Sequence, residues 1–392
     1  MSIADNASGL AGQSPVDLLI VGGGIMGLWA ALKADRLGID TLIVDEGPLA
    51  QGASGGLLGA LMPHMPDKWN DKKQFQFDAL LSLEEEVRNL EGETGLFAGY
   101  RRSGRLIPLP KPHLRTIAER HEGQAKENWR AGERAFHWHA VDASPFGPGW
   151  PTPDASHAGC VHDTFSARVS PRGLTGMLVE RLRASRHVRI IEGCGVAAIG
   201  AASARLADGT TVAFGHCILA AGYKAFPLLE TLGPPLSRPL GQAVKGQAAL
   251  LKGDIDPDLP LLYLDGLYIV PHEGGMAAIG STSEDHFASP FTTDEQLEAL
   301  IARAHDLAPI LCAAEVVERW AGLRPKAIDR DPMVGPHPDA PRVVALTGGF
   351  KVSFGMAHRL ADAALSTIVG QPPVMPEGFH LSNHIAVAAR VA

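Results

Sequence analysis

The sequence predicts an α/β protein: a Rossmann-type, dinucleotide-binding domain with an inserted antiparallel-sheet domain. Three observations predict it. Residues 16–48 read as strand, glycine-rich turn, helix, strand and acid. A second apolar strand, Cys217-Ile218-Leu219-Ala220-Ala221-Gly222, ends on small residues. Four strand-like segments then follow one another without crossover helices between Gln242 and Ser283.

In the first unit, Leu18-Leu19-Ile20-Val21 is an apolar, β-branched run that enters Gly22-Gly23-Gly24-Ile25-Met26-Gly27 without a break. Ile25, Leu28, Ala31, Leu32 and Leu37 recur at helical spacing, Gly38 stops the helix, and Thr41-Leu42-Ile43-Val44 closes on Asp45. Each part meets a demand of a dinucleotide. Gly22 permits the tight turn, Gly24 lets backbone approach a pyrophosphate, and Gly27 lets helix and strand pack closely. The helix N-terminus supplies free N–H groups and a positive dipole end. Asp45, about 20 residues past the turn, can accept from a ribose hydroxyl. A glycine turn alone is unspecific; both strands, the helix and the acid together are not.

With 392 residues, 45% of them hydrophobic, the chain can bury the core of two domains. Its 35 basic and 43 acidic residues include no basic run, which argues against a nucleic-acid partner. Cys160, Cys194, Cys217 and Cys312 stand singly and read as buried thiols in a reducing compartment. Residues 1–15 lack a basic n-region and an apolar core, so they read as a flexible tail rather than a signal peptide, and no stretch is long and apolar enough to span a membrane. The expected location is cytoplasmic.

Along the chain, 49–59 is a small-residue loop suited to lying against a flat ring or a phosphate, or simply a linker. Residues 73–92 form a helix with Phe77, Leu80, Leu81 and Leu83 inward and Glu84-Glu85-Glu86 solvated, and 112–132 a charged helix between strands at 100–109 and 135–141. Prolines make 144–154 a loop. A strand through Ala167-Arg168-Val169, a helix over 171–184, strands at 188–192 and 196–199, and a hairpin turning at Asp208-Gly209 lead to the Ala-Ala-Gly strand. The meander of 242–283 follows, then a helix begun by Asp294, strands at 315–323 and 342–347, and a glycine-rich turn at 348–355 that opens a helix to about 369. The expected division is a tail over 1–15, a dinucleotide domain over 16–75, 155–235 and 320–375, a substrate domain over 76–154 and 236–319, and an extension over 376–392.

The glycine turn with Asp45, the loop Ala53-Ser54-Gly55-Gly56-Leu57, the strand ending at Gly222, Trp320-Ala321-Gly322-Leu323-Arg324-Pro325, and Gly348 through Gly355 together resemble the D-amino-acid-oxidase (DAO) family of FAD flavoproteins, especially its glycine oxidase and sarcosine oxidase branches. The resemblance covers roughly residues 16–370 and implies non-covalent FAD between the two domains. It places FAD contacts at Gly22, Gly24, Ile25, Met26, Gly27, Asp45, Glu46, Ala53, Ser54, Gly55, Gly56, Leu57, Val196, Ala221, Gly222, and Gly349, Phe350, Lys351, Val352, Ser353, Phe354 and Gly355. Arg324 falls where sarcosine oxidases carry the cysteine that bonds their flavin, which argues against covalent attachment here. In the glycine and D-amino-acid oxidase branches that position holds the substrate carboxylate, Tyr268 matches the tyrosine that helps it, and Lys351 matches a carboxylate-binding lysine of sarcosine oxidases. The alternatives are a structural ion pair for Arg324, a core or rim tyrosine for Tyr268 and a surface lysine for Lys351; His64, just after the flavin-contacting loop, reads as a satisfied loop histidine rather than a catalytic one.

The chemistry implied is oxidation of a C–N bond beside a carboxylate, with the α-hydrogen leaving as hydride to flavin N5 and the imine hydrolysed. The substrate is a small carboxylate-bearing amine and the acceptor oxygen or another carrier, and a homo-oligomer is left open. Competing readings are a dehydrogenase of the family that feeds a quinone or carrier protein, and a flavin-bearing subunit without catalysis.

Overall fold

The computed structural model describes residues 15–390, so the expected tail lies, but for Pro15, outside the described residues. Two eight-stranded sheets organise the chain. In the first, Val16–Val21 pairs in parallel with Thr41–Val44 and Thr211–Leu219, and Val188–Ile191 and Ala340–Thr347 extend the parallel set on either side. Parallel strands are covered on both faces, which is why these segments read as continuous apolar runs; Leu18, Leu19 and Ile20 are fully buried. Helices Ile25–Arg36, Asp71–Thr94, Pro171–Arg183 and Ser353–Ile368 pack against one another and share a core with this sheet. The hairpin of Ser203–Leu206 and Thr211–Leu219 turns through Gly209 at φ +90°, where glycine meets no steric cost.

The second sheet runs, in spatial order, Glu315–Ala327, Gly241–Lys252, Met276–Gly280, Leu267–His272, Leu261–Leu264, Arg105–Pro108, Cys160–Asp163 and Trp138–Val141. The meander is present, but the sheet is mixed: Leu261–Leu264 and Arg105–Pro108 pair in parallel. Such a pair cannot be closed by a hairpin, and Arg105–Pro108 reaches the sheet from the Asp71–Thr94 helix. Cys160–Asp163 belongs to this sheet, and Glu315–Ala327 pairs with Gly241–Lys252 along its length, so the sheet takes in residues on both sides of the expected segment boundaries.

The Asp71–Thr94 helix starts where the Asn70 side chain accepts from the Lys73 N–H and ends on Gly95 at φ +68°. Its acidic cluster is not a free face. Glu86 pairs with Lys33 and with Arg36 at 2.7 Å, and Glu84 accepts from Arg102 and Arg134, each at 2.9 Å. Of the cysteines expected to be buried, Cys312 is exposed; Cys160, Cys194 and Cys217 are buried. The C-terminal segment holds the helix Leu381–Ala389, anchored by buried His384 against the Pro332 carbonyl at 3.2 Å. Among the described residues no helix is long and apolar enough to cross a membrane.

Candidate active site

A cavity of about 770 Å³ runs from the glycine turn of the first sheet to one face of the second, a volume within the usual range of ligand sites. At the first end Gly22 has φ +103°, and a Cβ there would meet the Ala220 carbonyl oxygen at 2.6 Å. A Cβ on Gly27 would lie 1.9 Å from the Gly22 oxygen, so helix and turn are in backbone contact. Gly24 differs: a Cβ there would meet only Ser54 Oγ, at 3.2 Å, because its open side faces the cavity. The Ile25 N–H at the helix start donates to Ser54 Oγ at 2.9 Å. Asp45 accepts from the Gly23 N–H at 2.7 Å and the Gly47 N–H at 2.9 Å; burial, only partly offset by these bonds, raises its pKa. Glu46 is paired with Lys224, at 2.6 Å to Oε2.

The segment 348–355 closes the cavity from a third direction. The Ser353–Ile368 helix has no side-chain cap, and Val352, Ser353, Phe354 and Gly355 at its start all line the cavity. This helix end offers a positive dipole to negative charge. Phe350 is held at φ +44°, a left-handed conformation unusual for a bulky side chain, and its ring lies 5.2 Å from the Arg324 guanidinium carbon.

At the second end the sheet register puts the polar groups on one face. Trp320 pairs with Ala248, Ala248 with Gly280, Gly280 with Tyr268, and Tyr268 with Tyr263. Paired residues share a face and so do residues two apart along a strand, which brings Arg324, four residues after Trp320, to the same side. Arg324 Nη1 donates to Ser281 Oγ at 2.9 Å and Nη2 to the Thr282 carbonyl at 2.5 Å and the Lys245 carbonyl at 3.3 Å, while Nε, though buried, has no partner among the described residues. Burial pushes the guanidinium down to about 10 against the opposing pull of Tyr268 and Glu284. Arg324 therefore carries full charge at neutral pH without a carboxylate bonded to it. Burial raises the Tyr268 phenol. Lys351 is accessible from the cavity, yet the surrounding protein, with Arg324 adding repulsion, pushes its ammonium down to about 8; its near neighbours are the rings of Tyr268 and Phe350 at 5.9 and 5.8 Å.

The cavity thus collects nearly every residue the sequence singles out. Gly27, Gly55 and Gly349 stand behind the lining: a Cβ on Gly55 would lie 2.9 Å from the Ala50 oxygen, and one on Gly349 would lie 2.4 Å from the Met26 methyl. His64 lines the cavity and is fixed through its main-chain N–H, which donates to Gln76 at 2.7 Å. None of the four cysteines lines the cavity, in keeping with a cofactor not bonded through sulfur. The sequence reading missed Arg105 and Tyr263, both in the lining; the available signal for the first was an arginine opening the otherwise apolar strand Arg105-Leu106-Ile107-Pro108.

The shape suits a dinucleotide with a planar ring. Glycines cradle the first end, an acid stands at the end of the second strand, and an uncapped helix start faces the middle. The family model described as DAO, FAD-dependent oxidoreductase, matches residues 17–363. Among sequence relatives, the bifunctional protein ThiO/ThiG of Synechocystis sp. is 29% identical over 93% of this chain, which spans about half (53%) of that protein. Glycine oxidase of Pseudomonas putida is 28% identical over 92% of this chain and 98% of that enzyme. Among solved structures, glycine oxidase from Geobacillus kaustophilus superposes with a TM-score of 0.83 at 21% identity, covering 94% of this chain and 99% of that one. Iminodiacetate oxidase from a Chelativorans species gives 0.80 at 20% identity, covering 93% and 98%.

Proposed function

The chain belongs to the DAO family of FAD-dependent oxidoreductases, and from that premise we propose that it oxidises the C–N bond of a small amino acid or N-substituted glycine-like amine held by its carboxylate on Arg324. The observation that carries the proposal is a half-buried guanidinium that is positioned by a hydroxyl and two carbonyls, lacks a bonded carboxylate, and shares the lining with Tyr268 and Lys351. A planar fork of donors suits a carboxylate, which can take two of them at once.

In this reading Gly22, Gly24, Ile25 and Met26 face the pyrophosphate, Asp45 the ribose, and the turn from Phe350 to Gly355 the pyrimidine side of the ring. When bound, FAD supplies the acceptor for the hydride that the substrate Cα–H gives up, and the imine is hydrolysed in water to a 2-oxo acid and an amine or ammonia. The chain's own contribution is placement: Arg324 and Lys351 draw in and orient the carboxylate, Tyr268 hydrogen-bonds it, and the face of the second sheet fixes the Cα–H direction. The uncapped start of the Ser353–Ile368 helix would offer its N–H groups and positive dipole end to the pyrimidine side of a bound ring.

Arg324→Met keeps the apolar bulk and deletes the charge. We expect kcat/KM for the best amino-acid substrate to fall by a factor equivalent to about 2–5 kcal/mol, the range for truncating one partner of a buried charge pair, with flavin content retained. A carboxylate-free amine of the same shape is the control. Equal losses on both substrates would reassign Arg324 to structure.

A further inference from the structure

We propose that Arg105 is a second anion-binding residue of this cavity, so that the amine oxidised carries a second carboxylate besides the one assigned to Arg324. The inference rests on reading the cavity as an amine-oxidising site, and it starts from a charge left half used. Arg105 is 2% exposed and donates from Nε to Asp163 Oδ2 at 2.6 Å. Asp163 has no capacity left for the rest of the guanidinium: it also accepts from the Phe165 N–H at 3.0 Å, the Ser166 N–H at 2.7 Å and Ser166 Oγ at 2.8 Å. The outer edge is therefore free. Nη1 meets only Met62 Sδ at 3.5 Å, and Nη2 is buried with no partner among the described residues.

Arg105 and Met62 both line the cavity, and the Trp138 ring packs 5.6 Å from the guanidinium carbon. A guanidinium held through Nε presents its two Nη groups as a fork, the geometry that takes a carboxylate through two parallel bonds. The thioether of Met62 is a weak acceptor on a flexible side chain, and a ligand can displace it. The register puts the fork on the substrate side. Arg105 pairs with Leu261, two residues from Tyr263, which pairs with Tyr268. Tyr268 stands between the two guanidiniums, and both act on its phenol. Across the sheet Arg105 stands two strands to one side of Tyr268 and Arg324 three strands to the other. The acids that line the cavity are Asp45 and Glu46, both at the dinucleotide end, so besides Asp163, which holds Nε, no lining carboxylate stands beside Arg105. An extended amino diacid, or a secondary amine carrying a carboxylate on each arm, matches two guanidiniums with unpartnered donors on opposite sides of one tyrosine.

The test is calorimetric titration of the flavin-loaded protein with non-reactive acids in pairs of equal length, glutarate against valerate and adipate against hexanoate. We expect the diacid to bind at least about tenfold more tightly than its partner. Arg105→Lys keeps a cation beside Asp163 without the fork, and Arg105→Met removes both. Each should erase the diacid advantage while changing monoacid affinity less than about twofold. Absence of the advantage in the unmodified protein, which needs no variant to fold, overturns the proposal. So does an advantage that persists in both variants, or a loss that follows missing flavin. Arg324→Met separates the two readings: if it still binds monoacids normally, the carboxylate clamp itself fails, whereas loss there with no effect at Arg105 sinks only the second site.

Discussion

At the glycine-turn end of the cavity the polar side chains already have partners: Asp45 accepts from Gly23 and Gly47, Ser54 from Ile25, and Glu46 pairs with Lys224. At the sheet end Arg324 Nε and Arg105 Nη2 have none among the described residues, and Lys351 has only aromatic rings beside it. The difference separates two modes of recognition. The first end selects by shape, through backbone that only glycine lets approach; the second keeps guanidinium donors without acceptors, and at Arg324 a charge with no carboxylate bonded to it, for a ligand to match. Substitutions at the two ends should accordingly fail in different ways.

The largest effect belongs to the shape end. A Cβ on Gly27 would come within 1.9 Å of the Gly22 oxygen, so Gly27→Ala must push helix and turn apart. We expect a stability loss of about 3 kcal/mol, at the top of the overpacking range, together with loss of bound FAD, read by thermal unfolding and by flavin absorbance. Gly24→Val sharpens the contrast. A Cβ there crowds only the Ser54 hydroxyl, at 3.2 Å, and the side chain points where the pyrophosphate approaches, so the flavin should be lost with a far smaller change in unfolding of the apoprotein than in Gly27→Ala. If Gly24→Val keeps its full flavin, the first end does not recognise by shape.

These two ends were not equally legible in the sequence. The dinucleotide turn is written in consecutive residues, because strand, turn, helix and acid are joined by local chain, and the meander is written in alternation. Arg105, whose local signal is only an arginine opening an apolar strand, is hard to read for the opposite reason. Its meaning depends on Asp163, 58 residues away, and on the register of strands from distant parts of the chain. Ser54 was placed in the right loop, but nothing local says that its hydroxyl receives the first helix N–H. The six-residue helix Ala225–Glu230 and the strand Met333–His337 lack the length for a periodic signal, and went unread.

A smaller effect tests the charge end through pH. Lys351 titrates near 8, below its ordinary value, while Arg324 stays charged to about 10. An anion in the cavity should therefore be held by two cations below pH 8 and by one between 8 and 10. We expect the inhibition constant of a non-reactive monocarboxylate such as acetate to rise about fivefold across pH 8, since a side chain accessible from the cavity contributes only about 1 kcal/mol. Lys351→Met should flatten that step and leave binding at its weak, high-pH level throughout. A step that survives in Lys351→Met belongs to another group.

An effect of similar size lies where the two modes meet, at Phe350. Its left-handed φ costs about 1 kcal/mol, and its ring, 5.2 Å from the Arg324 guanidinium carbon, contributes a cation–π attraction of about 1 kcal/mol. Two substitutions separate turn from ring. Phe350→Gly removes both the strain and the ring, and glycine adopts φ +44° freely, so the loss of packing is partly offset and the melting temperature should move little. Phe350→Ala removes the ring and keeps the strain, so it should melt lower. Both should raise KM for the amino acid about fivefold, because Arg324 loses the same face in each. Were KM to follow melting temperature instead, the ring's part would be to shape the turn, and Arg324 would be positioned by the Ser281 hydroxyl and the carbonyls of 245 and 282 alone.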